Sequence, residues 1–331
     1  MLRLIAGLAI SLLSAQAVAV ADEVADDTAL DAWQVLEKSA YAARELNYEG
    51  QFTYVNGEQK RVVDIKHMNY GGREVARNIV LGANHREVYS QGENVVIFQP
   101  TSSNVVIKKT RGKNLFPAML PTDLNTIKAH YVASLKGTEF VAEREAHVVE
   151  LNPKDEYRYS YKVWSDVKFG LMLKMALLNT DNKTLEQIYF NNVSMLNSQN
   201  NLNWFEPKID MNKSYITEAT EAITHVANDT TVTTDLPAGY KEVDHIQRAV
   251  KGKDAVVDQL IFSDGIASVS LFIEPLSKGQ RPKKGHMYMG STNMCANVVD
   301  GRQIIVVGEV PEKTVKSIAR AVSFKSSNSN E

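Results

Sequence analysis

The sequence predicts an α+β protein: one large antiparallel sheet with a few helices against it, then a smaller antiparallel sheet with its own covering helix. Three observations carry this. Short segments of alternating polarity recur at intervals of roughly 8 to 15 residues, divided by Gly and Asn turn signals. Helical spacing of apolar residues is confined to a few short stretches. A polar stretch around residues 197–228 breaks the strand pattern into a longer and a shorter series.

The chain opens with Met1, Leu2 and Arg3, an apolar run from Leu4 to Leu13, and small residues ending in Ala19-Val20-Ala21 before Asp22. A basic start, an apolar centre and an A-x-A site make residues 1–21 a secretory signal peptide. No later stretch reaches the roughly 18 apolar residues a spanning helix needs. Leu30, Trp33, Leu36, Ala40 and Ala43 then repeat at helical spacing behind the caps Asp27 and Thr28, which predicts a helix over 29–46. Five alternating segments follow at 48–55, 60–68, 74–81, 94–99 and 104–109. Asn56-Gly57, Gly71-Gly72 and Gln91-Gly92 mark turns of an antiparallel meander. An apolar loop, "NLFPAMLP", leads to a helix predicted from Thr122 to Tyr131. Strands resume with "EFVAER", "HVVELN", "YRYSYKVW", "LMLKMALLN" and "TLEQIYF".

Residues 22–205 therefore form a first domain. The segment 206–228 reads as a connection, with a short helix near Thr217 to Val226. Residues 229–325 form a second domain whose strands turn at Asp264-Gly265 and Asp300-Gly301. Pro311 begins a helix carrying Val315, Ile318, Ala319 and Val322 on one side, and 326–331 is a frayed tail.

Lys and Arg number 37 against 39 Asp and Glu, for a formal charge of −2, so nothing points to nucleic acid. The single cysteine, Cys295, excludes an intramolecular disulfide and is expected to be buried. No G-x-S-x-G, H-E-x-x-H, phosphate-binding loop or C-x-x-C occurs, and the seven histidines are scattered, so the reading is a non-enzyme without a cofactor.

Three stretches could bind something. In "YRYSYKVW" (157–164), strand alternation puts Tyr157, Tyr159, Tyr161 and Val163 on one face, opposite Arg158, Ser160, Lys162 and Trp164. Several tyrosines on one face suit a greasy cavity with polar tips as well as a core. In "KKTRGKNLFPAML", Lys108, Lys109, Arg111 and Lys113 lead into Leu115, Phe116, Met119 and Leu120, a pattern that suits an amphiphile with an anionic head. In "HMYMGSTNMC", His286, Met287, Met289, Met294 and Cys295 are soft copper(I) ligands. Their spacing matches no metal motif, however, and Met287 and Met289 alternate as core residues would, so no metal is assigned.

The stretch "RYSYKVWSDVKFGLMLKMALLNTDNKTLEQ" (158–187) resembles the RseB/MucB family of periplasmic sigma-E (AlgU-type) stress-response regulators. "LPAGY" (236–240), "FSDGIASVSLFIEP" (262–275) and "DGRQIIVVGEVPEKTVKSIARAVSF" (300–324) resemble the C-terminal domain of the same family, in the same order. "LNYEGQFTYV" and "REVYSQGENVVIFQP" also fit. The resemblance implies a LolA/LolB-like antiparallel half-barrel with helices on its concave side, joined to the smaller domain. It also implies a periplasmic location and a regulatory role, holding the periplasmic segment of an RseA/MucA-type anti-sigma factor and shielding it from proteolysis until lipid or lipopolysaccharide loosens the grip. On such a concave sheet the lipid-pocket candidates are Phe52, Tyr54, Phe98, Phe116, Met119, Tyr159, Tyr161 and Val163. Lys108, Lys109 and Arg111 are the candidate contacts for an anionic group or the partner. A periplasmic lipid or lipoprotein carrier is the alternative, and the oligomeric state, including a homodimer, is left open.

Overall fold

A computed structural model describes residues 30–83, 85–92, 94–101, 104–111, 115–197, 202–208, 210–217, 224–225, 232–233, 235–249, 256–276, 279 and 281–324. The signal segment 1–21, the caps Asp27 and Thr28, Lys113 and the tail 326–331 lie outside the described residues. Among the described residues no helix is long and apolar enough to cross a membrane.

The elements run α1 (Ala32–Glu45), β1 (Tyr48–Asn56), β2 (Gln59–Tyr70), β3 (Arg73–Val80), β4 (Arg86–Gln91), β5 (Asn94–Pro100), β6 (Asn104–Arg111), α2 (Asn125–His130), β7 (Tyr131–Val141), β8 (Arg144–Pro153), β9 (Ser160–Asp166), β10 (Met172–Leu178) and β11 (Thr184–Met195). After a 3₁₀ turn at Asn203–Phe205 come β12 (Ser214–Thr217), β13 (Thr224–His225), β14 (Val232–Thr233), β15 (Lys241–Ala249), β16 (Val256–Ser263), β17 (Ser268–Pro275), β18 (Gly285–Met289), β19 (Thr292–Val299), β20 (Arg302–Gly308), α3 (Glu312–Ala321) and β21 (Ser323–Phe324). A 12-stranded sheet has the order β12-β6-β5-β4-β3-β2-β1-β11-β10-β9-β8-β7. A seven-stranded sheet has the order β13-β15-β16-β17-β20-β19-β18, and β14 pairs with β21.

The large sheet is open and strongly bent. Helix α1, about 21 Å long at 1.5 Å per residue, touches β2 as well as β7, β8, β9 and β10. In a flat sheet β2 and β7 would lie about 29 Å apart at 4.8 Å per strand. One helix reaches both because the sheet curls around it, and β7 comes back into contact with β11. The helix earns its place by burying Val35, Leu36, Ala40 and Ala43 against the inner face; Leu30 is 46% exposed, so the buried stripe begins one turn later than its spacing implied.

Several sequence expectations need correction. β4 was absent from the expected series, since "REVYSQ" is too polar to read as a strand. "EFVAER" is the end of β7 plus a hairpin whose turn residues, Ala142 and Glu143, both take positive φ without a glycine to announce it. The strand in "YRYSYKVW" begins only at Ser160. The short helix expected near Thr217 to Val226 falls largely on residues 218–223 and 226, which lie outside the described residues; of its described positions, Thr217 ends β12, which pairs with β6 in parallel, and Thr224–His225 pair with β15. That parallel pair also makes the large sheet not wholly antiparallel.

The residues just before the connection are fastened to the outer face of the large sheet. Tyr89 on β4 packs edge-on against Phe98 on β5 (centroids 5.4 Å apart) and Phe205 (5.5 Å). Arg77 pairs with Glu87 at 2.7 Å and donates to the Trp204 carbonyl at 3.3 Å. Phe205→Ala removes one side of this aromatic cluster. With aromatic pairs worth about 0.5–1.5 kcal/mol, the expected loss is about 1 kcal/mol, read as a lower urea midpoint with unchanged slope.

Candidate functional site at the seam between the two sheets

Of the eight lipid-pocket candidates, six lie in or against one core and two, Tyr54 and Phe98, lie apart from it. Phe52 and Phe116 belong to an aromatic plug on the inner face, with Phe116 centroids 5.1 Å from Phe52 and 5.0 Å from Phe190. Val163 and Tyr161 are buried in the same core, and Met119 packs on its margin. Phe98 lies on the opposite face: it pairs with Glu87, which pairs with Ile79, while the neighbouring Asn78 and Val80 of β3 are the residues turned toward the core. Tyr54 sits elsewhere again, at the seam with the second sheet, and Tyr159 packs against the core while its hydroxyl reaches the same seam. The backbones of Lys108, Lys109 and Arg111 run in β6, but their side chains lie outside the described residues. Met287 and Met289 are 60% and 79% exposed, which corrects their reading as core residues. Cys295 is buried in the second core, and no cluster of three or more His, Cys, Asp or Glu fit for a metal occurs among the described residues.

What the large sheet does bring together is a seam with the small one, and the residues just before β9 are its centre. Arg158, expected to face outward, has a fully buried side chain. Its Nε donates to Asp264 Oδ2 at 2.8 Å, and its two terminal nitrogens reach Asp155 and the Ala238 carbonyl. Its guanidinium lies over the Tyr240 ring, 4.9 Å from the centroid. Asp264 is equally buried, and its second oxygen accepts the Ile266 and Ala267 amides at 3.1 and 2.9 Å. The hairpin loop between β16 and β17 is thereby shaped by the carboxylate that holds Arg158. Ile266, on that loop, packs into the core of the large sheet. Two charges buried this way remain tolerable because nearly every donor and acceptor is used.

Around this pair the seam is polar and satisfied. The Tyr157 carbonyl accepts from Thr314 Oγ1 at 2.7 Å and Tyr240 Oη at 3.3 Å. Asn293 on β19 donates to Tyr159 Oη at 3.0 Å and to the Val310 carbonyl at 2.9 Å. At the far end, Glu186 on β11 accepts from Tyr54 at 2.8 Å, from Asn56 at 2.6 Å, and from Ser291 in the β18–β19 turn. Burial pushes the Tyr54, Tyr131, Tyr161 and Tyr240 phenols well up from their ordinary value. The tyrosines of "YRYSYKVW" thus divide between core and seam. Tyr161 lies 6.1 Å from Tyr131 in the core, whereas Tyr157 and Tyr159 fasten the second domain.

Beside the seam opens a cleft of about 1060 Å³. Tyr157, Tyr159 and Leu185 line it from the large sheet, and His286, Tyr288, Lys313, Lys316 and Arg320 from the small one. Of the eight pocket candidates, only Tyr159 reaches it.

His130 stands at the other side of Arg158. Burial, and then the Arg158 charge, hold its imidazole below the ordinary value near 6.5. A depressed folded value means that, just below pH 6.5, the unfolded chain binds the proton and the folded chain does not. His130 therefore contributes stability that is full above that pH and is lost as pH falls from there toward the folded value. His130→Gln is expected to flatten this part of the stability profile, read by urea unfolding between pH 7.5 and 5.

The stretches that converge on Arg158 are "LPAGY", "FSDGIA" and "YRYSY", from three distant parts of the chain. Residues 31–213 match the MucB/RseB N-terminal domain, and residues 224–323 match the MucB/RseB C-terminal domain. The chain belongs to the MucB/RseB family. It is similar to the sigma-E factor regulatory protein RseB of Haemophilus influenzae, 24% identical over 305 residues that make up 91% of this chain and 94% of that protein. RseB of Escherichia coli K12 is 26% identical over 295 residues, 88% of this chain and 90% of its own. A structure of the Pseudomonas aeruginosa MucA/MucB complex shares the fold, with a TM-score of 0.72 at 22% identity over 90% of this chain and all of the other. Within the MucB/RseB family, the bent open sheet and the smaller second sheet are the expected architecture, and the structure bears them out.

Proposed function

We propose that this chain is a non-enzymatic periplasmic regulator of the envelope-stress sigma factor. It holds the periplasmic segment of an RseA/MucA-type anti-sigma factor and shields it from proteolysis, and lipid or lipopolysaccharide weakens that hold. The observation that carries the proposal is the cleft at the seam, whose walls come from both sheets, in a chain sharing the fold of a MucB solved with MucA. A binding surface shared by two domains changes whenever either domain shifts, which suits a sensor. The domains are 22–205 and 229–325, with 206–228 between them. A free carrier is disfavoured because the inner face of the large sheet is filled by Phe52, Phe116, Phe190 and Leu120, and because a shuttle has no need of a second domain fused to it through a buried ion pair.

The test is affinity for the periplasmic segment of the cognate anti-sigma factor, measured with and without lipopolysaccharide, and the converse. Coupling must be equal in both directions. Lipopolysaccharide that binds equally well with and without the segment removes the switch, and a segment that does not bind removes the regulator.

A further inference from the structure

Strand β18 ends the seven-stranded sheet, and among the described residues nothing pairs with its outer side. Natural sheet edges are usually blunted by a charge on the strand, a proline or a bulge, because an open row of N–H and C=O groups recruits other chains. β18 carries none of these. Its last three residues, Met287, Tyr288 and Met289, are 60%, 76% and 79% exposed, and its pairing with β19 runs without a bulge over five residues. It is also held in place. The buried Gln303 side chain accepts from the Lys283 amide at 2.7 Å and donates to the Lys283 carbonyl at 2.8 Å, which fixes the entry to the strand.

We infer that β18 is a docking edge for an extended, acidic and apolar segment of the anti-sigma partner, which adds to the small sheet as an eighth strand beside the cleft. This rests on the function proposed above and names where and how the partner is held. The backbone row calls for an extended chain, since a lipid has no matching alternation of donors and acceptors. A strand of this length offers about 17 Å of pairing. Alternation places Tyr288 toward the cleft, with Met287 and Met289 on the other side, so apolar residues on both faces of the incoming strand find partners. The charge of the partner follows from the surroundings: Arg281, Lys283 and Lys284 are exposed immediately before the strand, and Arg320 of α3 lines the cleft, where Lys313 and Lys316 are already paired with Glu156 and Glu312. Acidic residues at the ends of the added strand would meet cations at both places.

Hydrogen exchange of the full chain with the purified periplasmic segment of the cognate anti-sigma factor tests this. Alternate amides within 285–289 should gain protection, because an added strand bonds every second residue. Met287→Glu combined with Met289→Glu should weaken the segment at least tenfold at unchanged thermal midpoint, the positions being exposed. Lys283→Glu with Lys284→Glu should also weaken it and reduce the dependence of affinity on salt. Binding at wild-type strength by both variants, with no protection in 285–289, overturns the docking edge and leaves the regulator standing. No binding by the wild-type chain overturns both. Protection that grows with concentration of the chain alone makes a second copy the occupant and overturns the assignment to the partner.

Discussion

Arg158→Ala is expected to lower the unfolding free energy by about 3–5 kcal/mol, because it strands a fully buried Asp264 carboxylate between two domains. For a chain of this size that is on the order of a 10 °C fall in thermal midpoint. The loss reaches beyond the pair. Asp264 caps the loop that carries Ile266 into the large core, so a displaced carboxylate loosens both the loop and the plug. Replacing both partners with apolar residues of similar size, Arg158→Met with Asp264→Leu, should recover a large part of the stability, since a buried ion pair is often no better than a hydrophobic one. The double variant should nevertheless bind the anti-sigma segment more weakly, because the Ala238 carbonyl and the loop amides lose the partners that set the angle of the seam. Unfolding of the two single variants and the double variant forms a cycle. Arg158→Ala within 0.5 kcal/mol of wild type would mean that water enters the seam and the pair is not a clamp.

The fate of Arg158 also shows how far pattern reading reaches. Alternation across "YRYSYKVW" pairs Arg158 with Lys162 and Trp164 on an outer face; Trp164 does meet Glu139 at 2.7 Å and the Lys174 ammonium, yet it is only 4% exposed and belongs to the buried core. Before Ser160 the chain is not a strand, so parity no longer governs. What turns Arg158 inward is a carboxylate 106 residues further on, in another domain, and no local period reports on it. Phe98 failed for a related reason. Its strand was correctly placed, yet which face is inner depends on α1, and its aromatic partner Tyr89 is covered in turn by Phe205, at the end of the first domain as read. Local signals sufficed where the physics is local. The helix stripe of α1 after its first turn, the Gly71-Gly72 and Asp300-Gly301 turns with their positive φ, and the amphipathic α3 behind Pro311 are as read. The turn at Ala142-Glu143 escaped because it uses the same conformation without the residue that usually marks it.

Gly239→Ala should be nearly as damaging as losing Arg158, on the order of 2–4 kcal/mol, for two separable reasons. Gly239 takes a φ of +86°, where an L side chain costs about 1–3 kcal/mol. A Cβ there would also overlap the His130 imidazole and crowd the Arg158 guanidinium, which donates to the carbonyl of the preceding residue, Ala238. Glycine in "LPAGY" is therefore what lets the chain of the second domain lie directly against the arginine of the first. Truncating the obstructing ring separates the terms. In a His130→Gly background the clash with the ring disappears, while the backbone part and the crowding of Arg158 remain, so Gly239→Ala should cost less there than in the wild-type chain. Urea unfolding of the four chains gives the coupling directly. Equal costs in both backgrounds would place the effect in φ and the Arg158 contact and show that His130 yields freely, in which case the seam at Gly239 is softer than the close approach to the ring implies.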